Sequence, residues 1–235
     1  MKLEVLCNEA NYSSVLECIF NSANSKVDTI CTPSGLLSRI DESLIKEHCT
    51  FSAIVDYPYG ISDTTVRIHD IILAKRRGAK SIDLVINRHD LESSNLASIR
   101  KDFKACLAAC SEYEISLRPV IEYRLSDWAF VMDLCHSLKA NNSSEIIIGT
   151  GSMVDDLTDN IICCKTIEDQ IHIPVVSCSP ILNQEHYDIF YKSNIYTQYM
   201  NKTVFTEFKN VCLDVVNNED KAMFIKLYQF CRNNL

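Results

Sequence analysis

Short β-branched runs alternate along this chain with longer stretches in which apolar residues recur every three or four positions. The short runs predict strands at Leu3–Leu6, Asp28–Cys31, Ser52–Asp56, Ser81–Ile86, Leu117–Glu122, Glu145–Ile148, Pro174–Cys178 and Asn194–Thr197. Strands that alternate with amphipathic helices imply a parallel sheet with crossover connections. Eight of them would close into a (β/α)8 TIM barrel. A length of 235 residues suits one such domain over 1–235.

The helical stretches are marked by one-sided apolar faces. Ile99, Phe103, Cys106, Leu107 and Cys110 share one face, and Phe130, Val131, Leu134 and Leu138 another. Ser62 is placed to cap a helix running to Arg77, Ser126 a second, and Ser152 a third with Asp155 and Asp156 in its first turn. Two C-terminal helices, Val204–Val216 and Asp220–Arg232, are expected across about 204–232, split by Asn217-Asn218. No repeat, low-complexity segment or long linker divides the chain.

Composition narrows the classes. An apolar content of 47% supports a large core. A net charge of −8 argues against a broad nucleic-acid surface, which needs clustered Lys and Arg. Uncharged stretches are too short and polar to span a bilayer. The opening Met1-Lys-Leu-Glu-Val-Leu6 leads into Cys-Asn-Glu, without the apolar run of a secretory leader. Twelve cysteines are then expected as free thiols in a cytoplasmic protein. They form no paired zinc-type clusters, so no metal or cofactor is implied, and Cys106 and Cys110 read as core. Five glycines are few for phosphate-gripping loops. Lysine and arginine are absent between Lys139 and Lys165, and again between Lys165 and Lys192. Those two intervals hold the sixth and seventh strands.

Two stretches carry a family resemblance. Tyr57-Pro-Tyr-Gly60 with Thr64-Thr-Val-Arg67, and Ala79-Lys-Ser-Ile-Asp-Leu-Val-Ile-Asn87 with Leu91-Glu-Ser-Ser-Asn95, resemble motifs of the deoxyribose-phosphate aldolase family of class I aldolase barrels. Thr29-Ile-Cys-Thr-Pro-Ser34, Arg118-Pro-Val-Ile-Glu122 and Gly149-Thr-Gly151 are similar to further segments, in family order over about residues 27–200. The resemblance implies chemistry at the C-terminal strand ends. A sixth-strand lysine forms an imine with a sugar-phosphate aldehyde. A seventh-strand lysine tunes the first, and a fourth-strand Asp joins the proton relay.

Residue by residue, the family pattern matches only in part. Asp83 falls on the relay Asp, Arg118 on a fifth-strand lysine, Glu122 on the acid that follows, and Cys31 on the second-strand cysteine. The Schiff-base lysine falls on Ile147 and the second lysine on Val176. The glycine pair after the seventh strand falls on Ser179-Pro180, and proline lacks the N–H a phosphate would use. The loop after the eighth strand becomes roughly Tyr196-Thr-Gln-Tyr199, and Ser152 stands where a basic residue follows Gly151. The family's first-strand Asp and Thr have no match near Lys2–Leu6.

The expectation is therefore an aldolase-like barrel without Schiff-base activity, a pseudoenzyme with a small-molecule or protein ligand at its mouth and compatible with a homo-oligomer. Pocket candidates are Cys31, Glu122, Thr150, Gly151 and Cys178. A divergent lyase using Asp83, Glu122, Cys178 or His186 at the same mouth is the alternative, and a structural or interaction subunit a third. Asp83 reads either as a relic of the relay or as a buried partner of Arg118. Cys178 reads as a nucleophile or an inert thiol, and His186 beside Glu185 as a weak metal ligand. Tyr57, Tyr59 and Tyr196 either line a pocket or pack at the rim.

Overall fold

The computed structural model describes residues 2–7, 27–37, 50–153, 156–178 and 197–201. Eight parallel strands follow one another in chain order: β1 (Lys2–Leu6), β2 (Thr29–Pro33), β3 (Thr50–Val55), β4 (Ser81–Val85), β5 (Ser116–Ile121), β6 (Ile146–Ile148), β7 (Val175–Ser177) and β8 (Thr197–Asn201). β8 pairs with both β7 and β1. The helices are α1 (Ser34–Leu37), α2 (Thr64–Arg76), α3 (Arg88–Glu92), α4 (Leu96–Glu112), α5 (Trp128–Ala140) and α6 (Leu157–Ile171). The fold is α/β, of the TIM-barrel type. The helices expected over 204–232 lie outside the described residues.

Strand alternation sorts the apolar residues into two cores. Ile82, Leu84 and Ile86 of the β4 segment face outward and pack with Ile71 of α2 and with Ile99 and Phe103 of α4. Each such fully buried side chain contributes about 1.5–3 kcal/mol. Cys106, Cys110 and Cys135 belong to this outer core, where burial pushes their thiols up to about 12. The intervening strand positions point into the barrel. Leu6, Cys31, Ile54, Val85, Val120, Ile147, Val176 and Cys178 form a separate buried cluster there, with Tyr57 packed against it.

Three helix starts differ from the sequence expectation. α5 is capped by Asp127, whose carboxylate accepts the Phe130 N–H at 2.9 Å, while Ser126 donates to the Leu91 carbonyl at 2.6 Å. α6 is capped by Asp156, which accepts from Thr158 and Asp159, and Ser152 lies upstream of it against Thr150. α2 follows Asp63 without a side-chain cap, because Ser62 gives its N–H and hydroxyl to Asp56 at 2.7 and 2.8 Å. In each case another polar group engages the serine, locally at Asp56 and Thr150 and across the fold at the Leu91 carbonyl. At α5 and α6 the carboxylate that takes its place also suits the helix dipole. The last strand is corrected as well: it runs Thr197–Asn201, later than Asn194–Thr197. Thr197-Gln-Tyr199, expected as a loop, is therefore strand.

Two glycines fix the mouth. Gly60 has φ +66, and a Cβ on it would lie 2.6 Å from the Val85 carbonyl oxygen, so the loop after β3 lies flat across the end of β4. Gly149 has φ +88, and a Cβ there would meet the Cys178 carbonyl oxygen at 2.8 Å. Beneath the first loop Arg67 is buried and bonds Asp102 and the Val85 carbonyl, tying α2 and α4 to β4.

Candidate functional site

The inward positions stack in layers, because parallel strands advance together by two residues per layer, about 6–7 Å. Arg118 occupies the lower layer. Its Nε and Nη2 donate to the two Asp83 oxygens at 2.7 and 3.0 Å. Its Nη1 and Nη2 donate to the two Glu4 oxygens at 2.9 and 2.8 Å. Nη1 also reaches Glu145 at 3.2 Å, and the Ser52 hydroxyl completes Asp83 at 3.1 Å. Arg118, Asp83 and Glu4 are buried. Burial works against the Arg118 charge, but Asp83 and Glu4 outweigh it and hold the guanidinium well above its ordinary value. Burial pushes the Glu4 carboxyl up, against the pull of Arg118.

The layer above is apolar. Register places Val120 beside Ile147, and Ile147 beside Val176. Ile147 and Val176 are 1% and 0% exposed, so the positions that the resemblance assigns to lysines are dry. Cys31 is buried in the same layer. Cys178 is buried too, its Sγ 3.3 Å from where a Cβ on Gly151 would stand. Such a packed thiol presents no exposed thiolate.

Glu122 belongs to neither layer. It lies four residues beyond Arg118 on the same strand path, about 13 Å along it. The two were grouped with Asp83 from the sequence, but the structure separates them. Asp83 is in the lower ion cluster, whereas buried Glu122 stands at the mouth. Its Oε2 accepts the Thr150 N–H at 3.0 Å and the Thr150 hydroxyl at 2.6 Å. Thr150 in turn lies 2.6 Å from the Ser152 hydroxyl and accepts the Ser152 N–H at 3.2 Å. The backbone brings these groups together because the Gly149 N–H pairs with the Ile121 carbonyl at the end of β5. Tyr57 packs on the apolar layer and Tyr59 is about half exposed at the lip. Ser179-Pro180, His186 and Tyr196 lie outside the described residues.

Glu4 was missed from the sequence, where β1 offered no family match. Its signal was alternation alone: Glu4 shares a face with Leu6, which places an acid inside the barrel. Ser52 carries the same signal on β3 relative to Ile54. Ser152 was noted only as a lost basic position, and Arg88 not at all. Among the described residues, no group of His, Cys, Asp and Glu is arranged to hold a metal ion, and no helix is long and apolar enough to cross a membrane.

No family model matches the chain. Over 123 residues it is 24% identical to the deoxyribose-phosphate aldolase of Treponema denticola, covering 52% of this chain and 57% of that protein. The same enzyme of Clostridioides difficile is 23% identical over 149 residues, covering 63% and 61%. The chain thus spans less than two thirds of the length of these relatives. Among solved structures, the tetrameric deoxyribose phosphate aldolase of Aeropyrum pernix matches with a TM-score of 0.74 at 11% identity, over 92% of this chain and 90% of that one. The dihydrodipicolinate synthase of Bacillus clausii matches at 0.58 and 11%, over 97% and 78%. At such identities the structural likeness speaks to the fold alone. The chain is thus similar in sequence to deoxyribose-phosphate aldolases over roughly half to two thirds of its length, and it shares the barrel fold of their solved structures.

Proposed function

We propose that this chain is an aldolase-like barrel that has lost Schiff-base chemistry, a pseudoenzyme whose mouth binds a ligand without forming an imine. The observation that supports this reading is the pairing of Ile147 with Val176 in a dry apolar layer. Imine formation needs an amine that can attack a carbonyl. Neither side chain has one, and no lysine lies between Lys139 and Lys165 or between Lys165 and Lys192. The Arg118 guanidinium below is committed to carboxylates and stays charged, so it cannot serve in place of lysine.

The reading takes the protein as a complete (β/α)8 barrel in a single domain, cytoplasmic, and compatible with a homo-oligomer in view of the Aeropyrum tetramer. Borohydride reduction with deoxyribose 5-phosphate or acetaldehyde tests it by mass spectrometry of the intact protein. No mass increase is expected; an adduct mapped to a barrel residue overturns the reading. A lyase working without lysine retains one observation in its favour, the hydroxyls wired to buried Glu122. Release of acetaldehyde from deoxyribose 5-phosphate, abolished by Glu122→Gln, would favour that alternative.

A further inference from the structure

Between the loops that follow β3, β4, β5 and β6 lies a shallow recess of about 250 Å3, counting its open mouth. Val85 and Leu125 contribute apolar wall, Glu122, Thr150 and Ser152 the inner polar end, and Arg88 with Tyr59 the lip. We propose that this recess binds a small hydroxy or amino acid, with Arg88 holding its carboxylate and Glu122 its hydroxyl or ammonium. The proposal rests on reading the mouth as a binding surface; imine trapping judges the loss of chemistry separately.

The inner end is rich in acceptors. Thr150 has one hydroxyl hydrogen and gives it to Glu122 Oε2, so the hydrogen between Thr150 and Ser152 comes from Ser152. Ser152 Oγ is left with acceptor lone pairs. Among the described residues, no donor is paired with Glu122 Oε1. A carboxylate this buried binds a ligand donor more strongly than an exposed one does, since less water competes for it. The inner end therefore selects a group that donates hydrogen bonds.

The lip has the opposite character. The Arg88 N–H donates to the Tyr59 carbonyl at 3.0 Å, and its guanidinium stands 5.7 Å from the centre of the Tyr59 ring. Glu92 takes only its Nε, at 2.9 Å. The two terminal nitrogens have no partner among the described residues, and they match a carboxylate in the paired geometry that guanidinium favours. The recess is shallow and open, so a ligand held at its lip and inner end stays largely in solvent.

Titration of the purified chain with L-serine and with D-glycerate, followed by ligand-observed NMR, tests the proposal. Glycerol lacks the anion and propionate lacks the donor. The expected result is binding of serine or glycerate at about millimolar Kd, as suits a ligand of few atoms, and no binding of either control. Which of the two binds more tightly identifies the donor as ammonium or hydroxyl. Arg88→Met and Glu122→Gln should each weaken binding about tenfold or more, the worth of one charge-assisted hydrogen bond. Arg88 is partly exposed, so its variant carries the test if Glu122→Gln does not fold. Absence of binding by both acids, equal binding of glycerol or propionate, or affinity unchanged in Arg88→Met overturns the proposal.

Discussion

Two buried polar assemblies are built from the same strand path, and their wiring differs. At Arg118 every donor direction meets a carboxylate, and the Asp83 oxygens are further bonded by Ser52. At Glu122 one oxygen is held by Thr150, and the other has no partner among the described residues. The apolar layer of Val120, Ile147 and Val176 lies between them. The first assembly is closed on itself, so its energy goes into fixing the strands of the lower barrel. The second borders the recess and has bonding capacity left over. The resemblance to aldolases would put lysine amines in the middle layer, where Ile147 and Val176 stand. Here the middle layer keeps the two levels apart.

The largest effect should come from breaking the closed assembly. Arg118→Met leaves Glu4 and Asp83 buried without their cation, and removing one partner of such a group typically costs about 3–5 kcal/mol. Urea unfolding measures it. Apolar residues of similar size at Arg118, Glu4 and Asp83 together should restore most of that stability, because the desolvation cost of the ions disappears with them. A loss below about 1 kcal/mol in the single variant would mean that water reaches the cluster, and the contrast with Glu122 would collapse.

The middle layer is the next target. Ile147→Lys places an ammonium in a dry position, where it must either deprotonate or drag water inward; a loss of about 3 kcal/mol is expected. Combined with Val176→Lys, it supplies lysines at both positions to which the resemblance assigns them. Turnover of deoxyribose 5-phosphate should still fall well short of the family enzymes, since Ser152 brings no charge and Pro180 no backbone N–H to bind a phosphate. Near-family turnover would show that the separation of levels depends on those two residues alone.

Much of this barrel was legible because parallel strands and their helices write two strong periods into the sequence. β4 and β5 were placed within a residue of their observed bounds, and the apolar faces of α4 and α5 came from spacing alone. Helix starts were not legible. Ser62, Ser126 and Ser152 are good caps in isolation, but nearby Asp56 and Thr150 engage the first and last, and Leu91 holds Ser126 from a distant helix. The site followed the same division. Asp83 and Arg118 could be paired because their strands are adjacent in sequence order. Glu4 could not, since it reaches Arg118 across 114 residues of chain. Glu122, a pocket candidate from the sequence, stands at the mouth, but its distance from Asp83 and Arg118 was not legible, because strand alternation gives the face of a residue and leaves its depth to the register.

The open assembly should answer more gently. Thr150→Val removes the hydroxyl that links Glu122 to Ser152 while keeping the backbone N–H bond. A loss of about 1–2 kcal/mol is expected, near the value of one hydrogen bond to a charged group. A cost matching that of Arg118→Met would show Glu122 to be as closed and dry as the lower cluster.

The smallest effect is a slope with pH, and it separates the assemblies without breaking either. Burial raises the Glu4 carboxyl above its ordinary 4.5, with Asp83 and Glu145 adding to the push and Arg118 opposing it. A carboxyl raised in the folded state binds its proton more tightly there than in the unfolded chain. Its stabilising contribution is complete below 4.5 and is lost as pH climbs through the raised value. Stability of the native chain should therefore fall, relative to Glu4→Gln, as pH rises above 4.5. Urea midpoints of both proteins across that range isolate the difference, because the other titrating groups are common to both. A constant difference would mean that Arg118 fully offsets the burial of Glu4, leaving the lower cluster a neutral fastening with no stored proton affinity.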